Sequence, residues 1–275
     1  MTAKNLFKEV FQYKETNCTI IADNERAVKT AISSIKHHRK KLEEYIRTHP
    51  KFLYSLRPVP TTEGPLVVRL MADAAEKANV GPMAAVAGVL ADLAVKDMAL
   101  NGSEVAVIEN GGEVSAISNR PIDVALSAGD SPLSRTFGFR LKDFPIGVAT
   151  SSGLFSHALS FGEAEAVTIF STNAGLADAA ATAVGNLIKG KNRRKAINRG
   201  LNKALSIEEV EGVLIIYRGI VGRAGRIPQI IKLSTAETTK SQTRLFLPIP
   251  NFFPWHGYDL SNLKTLPFVF SENEL

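Results

Sequence analysis

Val28, Ile32, Ile35, Leu42 and Ile46 recur at spacings of three, four and seven. That period lays them on one face of a helix, with Asp23 as a candidate cap and His49-Pro50 as the stop near Thr48. A proline-rich connector, "RPVPTTEGP" at 57–65, leads to two more helices, Leu66 to Asn79 and Pro82 to about Leu100. Pro82 suits a first helical position and Gly102 suits the exit. The period then falls to two. "EVAVIE" and "EVSAIS" flank "NGG", and "PIDVALS", "TFGFRL", "FPIGVATS" and "EAVTIF" follow as further strands. "TNCTIIA" near the N-terminus alternates in the same way, as do "GVLIIYR" and "PQIIKL" beyond an alanine-rich helix and a basic stretch. Helices interleaved with short, hairpin-linked strands predict an α+β class, mostly antiparallel strands flanked by helices.

The last segment, "LFLPIPNFFPWHGYDLSNLKTLPFVF", has no period, only prolines and aromatics. It is expected to pack over the domain or across a homodimer interface. At 275 residues and 45% hydrophobic content the chain can bury a large core. Its longest uncharged, mostly apolar run, Asn79 to Ala91, falls short of the roughly 20 residues a membrane helix needs. The opening "MTAKNLFKEVFQYKE" has no export-signal pattern, so a cytoplasmic protein with no membrane partner is expected. Cys18 stands alone, which excludes an internal disulfide, and its strand-like setting predicts a buried, inert thiol.

The net charge of +6 is unevenly spread, with "KHHRKK" at 36–41 and seven basic side chains without an acid in "KGKNRRKAINRGLNK" at 189–203. Such stretches can hold phosphates or nucleic acid. No recognisable nucleic-acid module accompanies them, which favours a solvated helix face or loop.

Candidate chemistry begins with "STNAGLADAAATAVGNLI", 171–188, where Asp178 and Thr182 stand one helical turn apart in an otherwise apolar run. Side chains at i and i+4 are neighbours, and a carboxylate beside a hydroxyl suits a hard cation such as magnesium. The competing reading is an aspartate that favours its own helix N-terminus. "IENGGEVSA" reads as a hairpin turn. In "GPMAAVAGVLADLAV", Ala84, Gly88 and Asp92 form a slim helix face for a ligand or for tight packing. "GVATSSGLFSHALSFG" gathers Ser151, Ser152, Gly153, Ser156 and His157, but without the G-x-S-x-G pattern of a nucleophile elbow, which counts against a serine hydrolase.

In order and spacing, "GPMAAVAGVLAD", "EVAVIENGGEV", "GVATSSG" and "EAVTIFSTNAGLADAAATAVGN" resemble the segments of the ApbE superfamily, whose best-known members are FAD:protein FMN transferases. The resemblance covers about 66–188, and it is nearer still to a small cytosolic branch found largely in archaea and some anaerobic bacteria. It implies one ApbE-like domain over 1–275, with C-terminal strands and the aromatic tail at about 212–275. It implies magnesium held by Asp178, Thr182 and the carbonyl of Val86, and FAD or FMN against Asn110, Gly111, Gly112 and Glu113, with Ser151, Ser152 and Gly153 nearby. A general-base role is implied for His157, and an acceptor protein or water would receive FMN. Two departures stand out. The transferases carry a lysine where this chain has Ala87, and their His-rich loop has shrunk here to "LFSHALSFGEAE". These keep open a non-catalytic binding or assembly factor whose ligand differs or has been lost.

Overall fold

The computed structural model describes residues 6–126, 136–153 and 162–233, with the backbone of 244–246 and 268–269. In chain order the strands are β1 (Phe7–Tyr13), β2 (Thr16–Ala22), β3 (Val105–Asn110), β4 (Glu113–Ser118), β5 (Ile122–Ala125), β6 (Phe137–Leu141) and β7 (Ile146–Ser151), then β8 (Ala166–Ser171), β9 (Val210–Tyr217), β10 (Ile220–Gly225), β11 (Gln229–Lys232), β12 (Arg244–Phe246) and β13 (Phe268–Val269). The helices are α1 (Glu25–Thr48), α2 (Pro50–Tyr54), α3 (Leu66–Ala78), α4 (Val86–Leu100), α5 (Ala174–Gly185) and α6 (Arg193–Leu205).

A nine-stranded sheet runs β1-β2-β3-β4-β7-β8-β9-β10-β13, and a four-stranded sheet runs β11-β6-β5-β12. Among the described residues, only β10 with β13 and β5 with β12 pair in parallel; the other pairs are antiparallel. The large sheet is covered on both faces, so its central strands are apolar at nearly every position. In β3, Val105 and Val107 point into the layer shared with the small sheet, while Ala106 and Ile108 point into the layer under α1 and α4. In β9, Leu214 and Ile216 face the small sheet, and Val213, Ile215 and Tyr217 face the helices. Phe139 and Phe170 join the two sheets edge to face, with ring centroids 4.8 Å apart.

The α+β expectation holds, and the predicted strands each form within a residue or two. Several details differ. Asn24, not Asp23, caps α1: its Oδ1 accepts the Ala27 N–H at 2.8 Å. The Asp23 carboxylate is engaged elsewhere, accepting from Ser103 Oγ at 2.6 Å and the Glu104 N–H at 3.1 Å, because it still follows the line of β2. Pro82 opens a 3-10 turn, Pro82–Ala85, and α4 begins only at Val86. Asn79 lies beyond α3 as its left-handed C-cap. Among the described residues no single helix is long and apolar enough to cross a membrane; Leu66–Ala78 and Pro82–Leu100 pass that test only as a pair bent by 102°.

Candidate functional site

The small residues of α4 and α5 bring two backbones into contact, and that contact builds the site. A Cβ on Gly88 would lie 2.2 Å from the Ala174 carbonyl oxygen, so only glycine lets α4 cross the start of α5 this closely. Asp92, one turn along α4, then caps α5. Its Oδ1 accepts from the Ala174 N–H at 2.9 Å and from Ser115 Oγ at 2.7 Å, and its Oδ2 accepts from the Gly175 N–H at 2.8 Å. Asn173 adds the side-chain cap, accepting the Leu176 N–H at 2.8 Å. The slim face of Ala84, Gly88 and Asp92 is thus a packing surface at Gly88 and Asp92.

Asp178 answers from the other side. Its Oδ2 accepts the Gly88 N–H at 3.1 Å, and the Ala87 amide also donates to the carboxylate. α5 starts at Ala174 and its first turn holds no acid, so Asp178 does not serve its own helix N-terminus. It faces the first turn of α4, where Val86 lies, and Thr182 follows one turn later on the same helix, partly exposed. Burial pushes the Asp178 carboxyl up to about 7 against those amides, with the Asp92 charge adding to the rise.

The β3–β4 turn closes the third side. Gly111 and Gly112 adopt φ of +71° and +121°, which the expected hairpin requires. Asn110 is 4% exposed, and its Nδ2 donates to the Ala87 carbonyl at 2.9 Å, tying the turn to α4. Glu113 opens β4; burial, then the charges of Asp178 and Glu109, hold its carboxyl well above the usual range. β7 supplies the fourth side. A Cβ on Gly112 would be 3.8 Å from the Thr150 carbonyl oxygen, and one on Gly185 would be 3.5 Å from Ser151 Oγ. Ser152 is buried, and Gly153 abuts the Gly162 carbonyl. His157 lies outside the described residues.

Val86, Asn110 to Glu113 and Asp178 therefore meet at one end of the α4–α5 crossing, with Thr182 a turn further along α5 and Ser151 against Gly185 near its end. Beside them a cavity of about 480 Å³ reaches Val86, Ala87 and Asn110. Its wall is apolar, from Leu42, Ile46, Leu53, Met83 and Leu90, and its rim is charged, from Lys14, Glu15, Arg39 and Glu43. Arg39 pairs with Glu15 and with Glu43, the latter at 3.1 Å, and Lys14 pairs with Glu43 at 2.5 Å, so the rim neutralises itself.

Glu109 reads in the sequence as no more than an acid in an apolar alternation. It is 2% exposed, its Oε1 accepts the Gly112 N–H at 3.1 Å, and Thr19 and the Gly111 amide also donate to it. Among the described residues, no three His, Cys, Asp or Glu side chains converge on one metal position. The Asp178 carboxylate is held by the Ala87 and Gly88 amides with Thr182 one turn along the same helix, and Glu109 and Glu113 add acid with no ion-pair partner among the described residues. Such a set suits magnesium, which binds through one or two carboxylates and keeps several waters.

A family profile described as AbpE bacteria matches residues 3–210. The UPF0280 protein of Methanococcus vannielii is 41% identical over 237 residues, 84% of this chain and 96% of that protein. The UPF0280 protein of Methanothermobacter thermautotrophicus is 44% identical over 195 residues, 70% of this chain and 76% of that one. Among solved structures, the apo flavinyl transferase ApbE of Pseudomonas stutzeri aligns with a TM-score of 0.56 at 13% identity, over 82% of this chain and 96% of that chain. The ApbE protein of Thermotoga maritima aligns with a TM-score of 0.54 at 14% identity, over 86% and 100%. Likeness at such low identity is one of fold.

Proposed function

Because the chain belongs to the AbpE bacteria family and has the ApbE fold, we propose that it binds a flavin nucleotide with magnesium and transfers FMN from FAD to a protein hydroxyl or to water. The P. stutzeri neighbour is by name a flavinyl transferase. The observation that supports the reading is the Asp178 carboxylate set against the Ala87 and Gly88 amides, with Asn110 tied to Ala87 and Glu113 within reach of the Asp178 charge, beside a cavity that reaches Val86, Ala87 and Asn110.

Magnesium would be held by the Asp178 carboxylate, the Thr182 hydroxyl and the Val86 carbonyl, and when bound it supplies charge neutralisation at the FAD pyrophosphate. The residues of the chain divide the remaining work. Asn110, through Ala87, fixes the β3–β4 turn against α4, so that Gly111, Gly112 and Glu113 border the nucleotide. Leu42, Ile46, Leu53, Met83 and Leu90 offer an apolar wall of the kind a flavin ring can cover. In the transfer, the acceptor oxygen forms a bond to the FMN-side phosphorus and AMP departs with the electrons of the broken P–O bond. His157 takes the acceptor proton as general base.

Ala87 favours a second reading, a non-catalytic binding or assembly factor. It stands where the transferases carry a lysine, so one phosphate-binding cation is missing. Calorimetry separates the two. FAD or FMN at protein concentrations of about 0.1 mM, where sites near −5 kcal/mol still register, is expected to bind more tightly with magnesium. Asp178→Asn is expected to abolish that magnesium response while the thermal melt persists, and Thr182→Val to weaken it less. No heat from either flavin supports the second reading, and an unchanged magnesium response in Asp178→Asn removes the metal assignment.

A further inference from the structure

The basic stretch at 189–203 looks from sequence like a solvated face, and the structure adds three observations. The first is exposure. Lys189, Lys191, Arg194 and Lys195 are exposed on the loop before α6 and its first turn, Lys203 is partly exposed near its end, and the helix buries only Ala196, Ile197, Gly200, Leu201 and Ala204. The second is use. Arg193 donates to the Arg218 carbonyl at 2.9 Å and Arg199 donates to the Leu187 and Lys189 carbonyls, so these two hold the loop in place. None of the other five has a carboxylate partner among the described residues, and the nearby Glu163 is already paired with Arg218 at 2.8 Å. The third is placement. Arg193, Arg194 and Lys195 occupy the first turn of α6, where the helix dipole makes cations unfavourable. Helix stability therefore does not account for them.

We propose that the exposed face of α6 and its preceding loop, through Lys189, Lys191, Arg194, Lys195 and Lys203, is a docking surface for the phosphate backbone of a double-stranded nucleic acid. Among the described residues, the loop and α6 from 189 to 205 carry no aromatic side chain on which unpaired bases would stack, and their chemistry is that of backbone contact. Asn198 and Asn202 lie exposed one turn apart between the cations and add neutral donors of the kind that also bond phosphate oxygens. The proposal is independent of the flavin reading.

The test is fluorescence anisotropy with labelled 20-base-pair duplexes, one RNA and one DNA, titrated with the full chain from 50 to 200 mM salt. Five phosphate contacts predict a log–log salt slope of about −4.5, or roughly a 500-fold loss of affinity over that range. The triple variant Lys191→Glu/Arg194→Glu/Lys195→Glu removes three contacts and is expected to bind at least tenfold more weakly at 50 mM, with a slope near −2. Its melting temperature, measured alongside, establishes that it is folded; if it is not, the single variants Lys191→Ala and Lys195→Ala, each expected to flatten the slope by about 0.9, take its place. The RNA and DNA arms distinguish the two sources of the backbone. Absence of binding at 50 mM, equal binding by the folded variant, tighter binding of a single strand, or equal binding of an oligo-glutamate peptide of matched charge would each overturn the proposal, the last by assigning the face to an acidic protein.

Discussion

Glu109 shows how much a single buried side chain decides. Burial pushes its carboxyl from 4.5 up to about 7, although Thr19 and the Gly112 and Gly111 amides all donate to it. Between those values the native protein keeps a proton that the unfolded chain has released. The native state binds more protons there, so stability falls as pH rises from about 4.5 to 7 and then levels off. The full window amounts to roughly 3 kcal/mol. Glu109→Gln removes this titration, so urea unfolding at pH 5 and pH 8 should show the variant gaining on the parent by roughly 2–3 kcal/mol at the higher pH. A gap that stays constant with pH would mean that Glu109 is ionised throughout. Cys18, 1% exposed beside this carboxylate, has its thiol pushed up to about 12 by burial and then by the Glu109 charge. It is expected to ignore a thiol reagent at pH 8 until denaturant is added; fast reaction of the native protein would contradict its burial. Its inert character was legible from the alternation of "TNCTIIA". Glu109 was not, because nothing local distinguishes an acid that faces water at a turn from one folded under it.

Among the elements, the α4–α5 crossing depends on a residue with no side chain. Gly88→Ala in an open helix would stabilise by about 1 kcal/mol. Here the new Cβ would meet the Ala174 carbonyl oxygen at 2.2 Å and carbon at 2.5 Å, both backbone atoms that cannot turn aside. The sign should reverse, to a loss of about 2–3 kcal/mol in urea unfolding. Asn198→Ala on the exposed face of α6 serves as the control and should gain about half a kcal/mol. A stabilised Gly88→Ala would show that the helices part without cost. Elements whose apolar residues carry a clear period, such as α1, α3, β3 and β4, could be read from the chain. Others could not. β1 reads as a mixture because, lying at the sheet edge, it exposes Val10 at 66% and Phe7 at 45%. α6 shows only Ala196, Ile197, Leu201 and Ala204 of an apolar stripe amid five basic residues, and β10 is thinned by Gly222 and Gly225. The same limit applies to the site: Asp178 and Thr182 were conspicuous against alanine, whereas the partners of Asp178, the amides at Ala87 and Gly88, lie ninety residues away and only the fold supplies them.

At the scale of the whole molecule, a nine-stranded sheet has two edges, and an edge strand with free N–H and C=O groups invites pairing with another chain. β1 lies on one edge with Lys8 and Glu9 exposed among its apolar residues, charges that discourage such pairing. The other edge would be β10, but β13 covers it, Val221 and Gly222 lying in parallel register with Phe268 and Val269. β12 likewise adds a parallel strand beside β5 in the small sheet, from Arg244 to Phe246. Residues 268–269 therefore extend the large sheet beyond β10 over Val221 and Gly222, a role that aromatic content alone did not suggest. The twelve residues "IPNFFPWHGYDL" between them, expected to cover the domain or a homodimer interface, lie outside the described residues. Truncation after Leu247 keeps β12 and removes β13, which leaves the outer backbone of β10 without its partner. The shortened chain is expected to melt at a lower temperature and to scatter more light at rising concentration, since β10 carries the apolar Ile220, Val221 and Ala224 and a single charge, Arg223. A truncated chain with the melt and the scattering of the parent would mean that the β10–β13 pairing contributes nothing in solution.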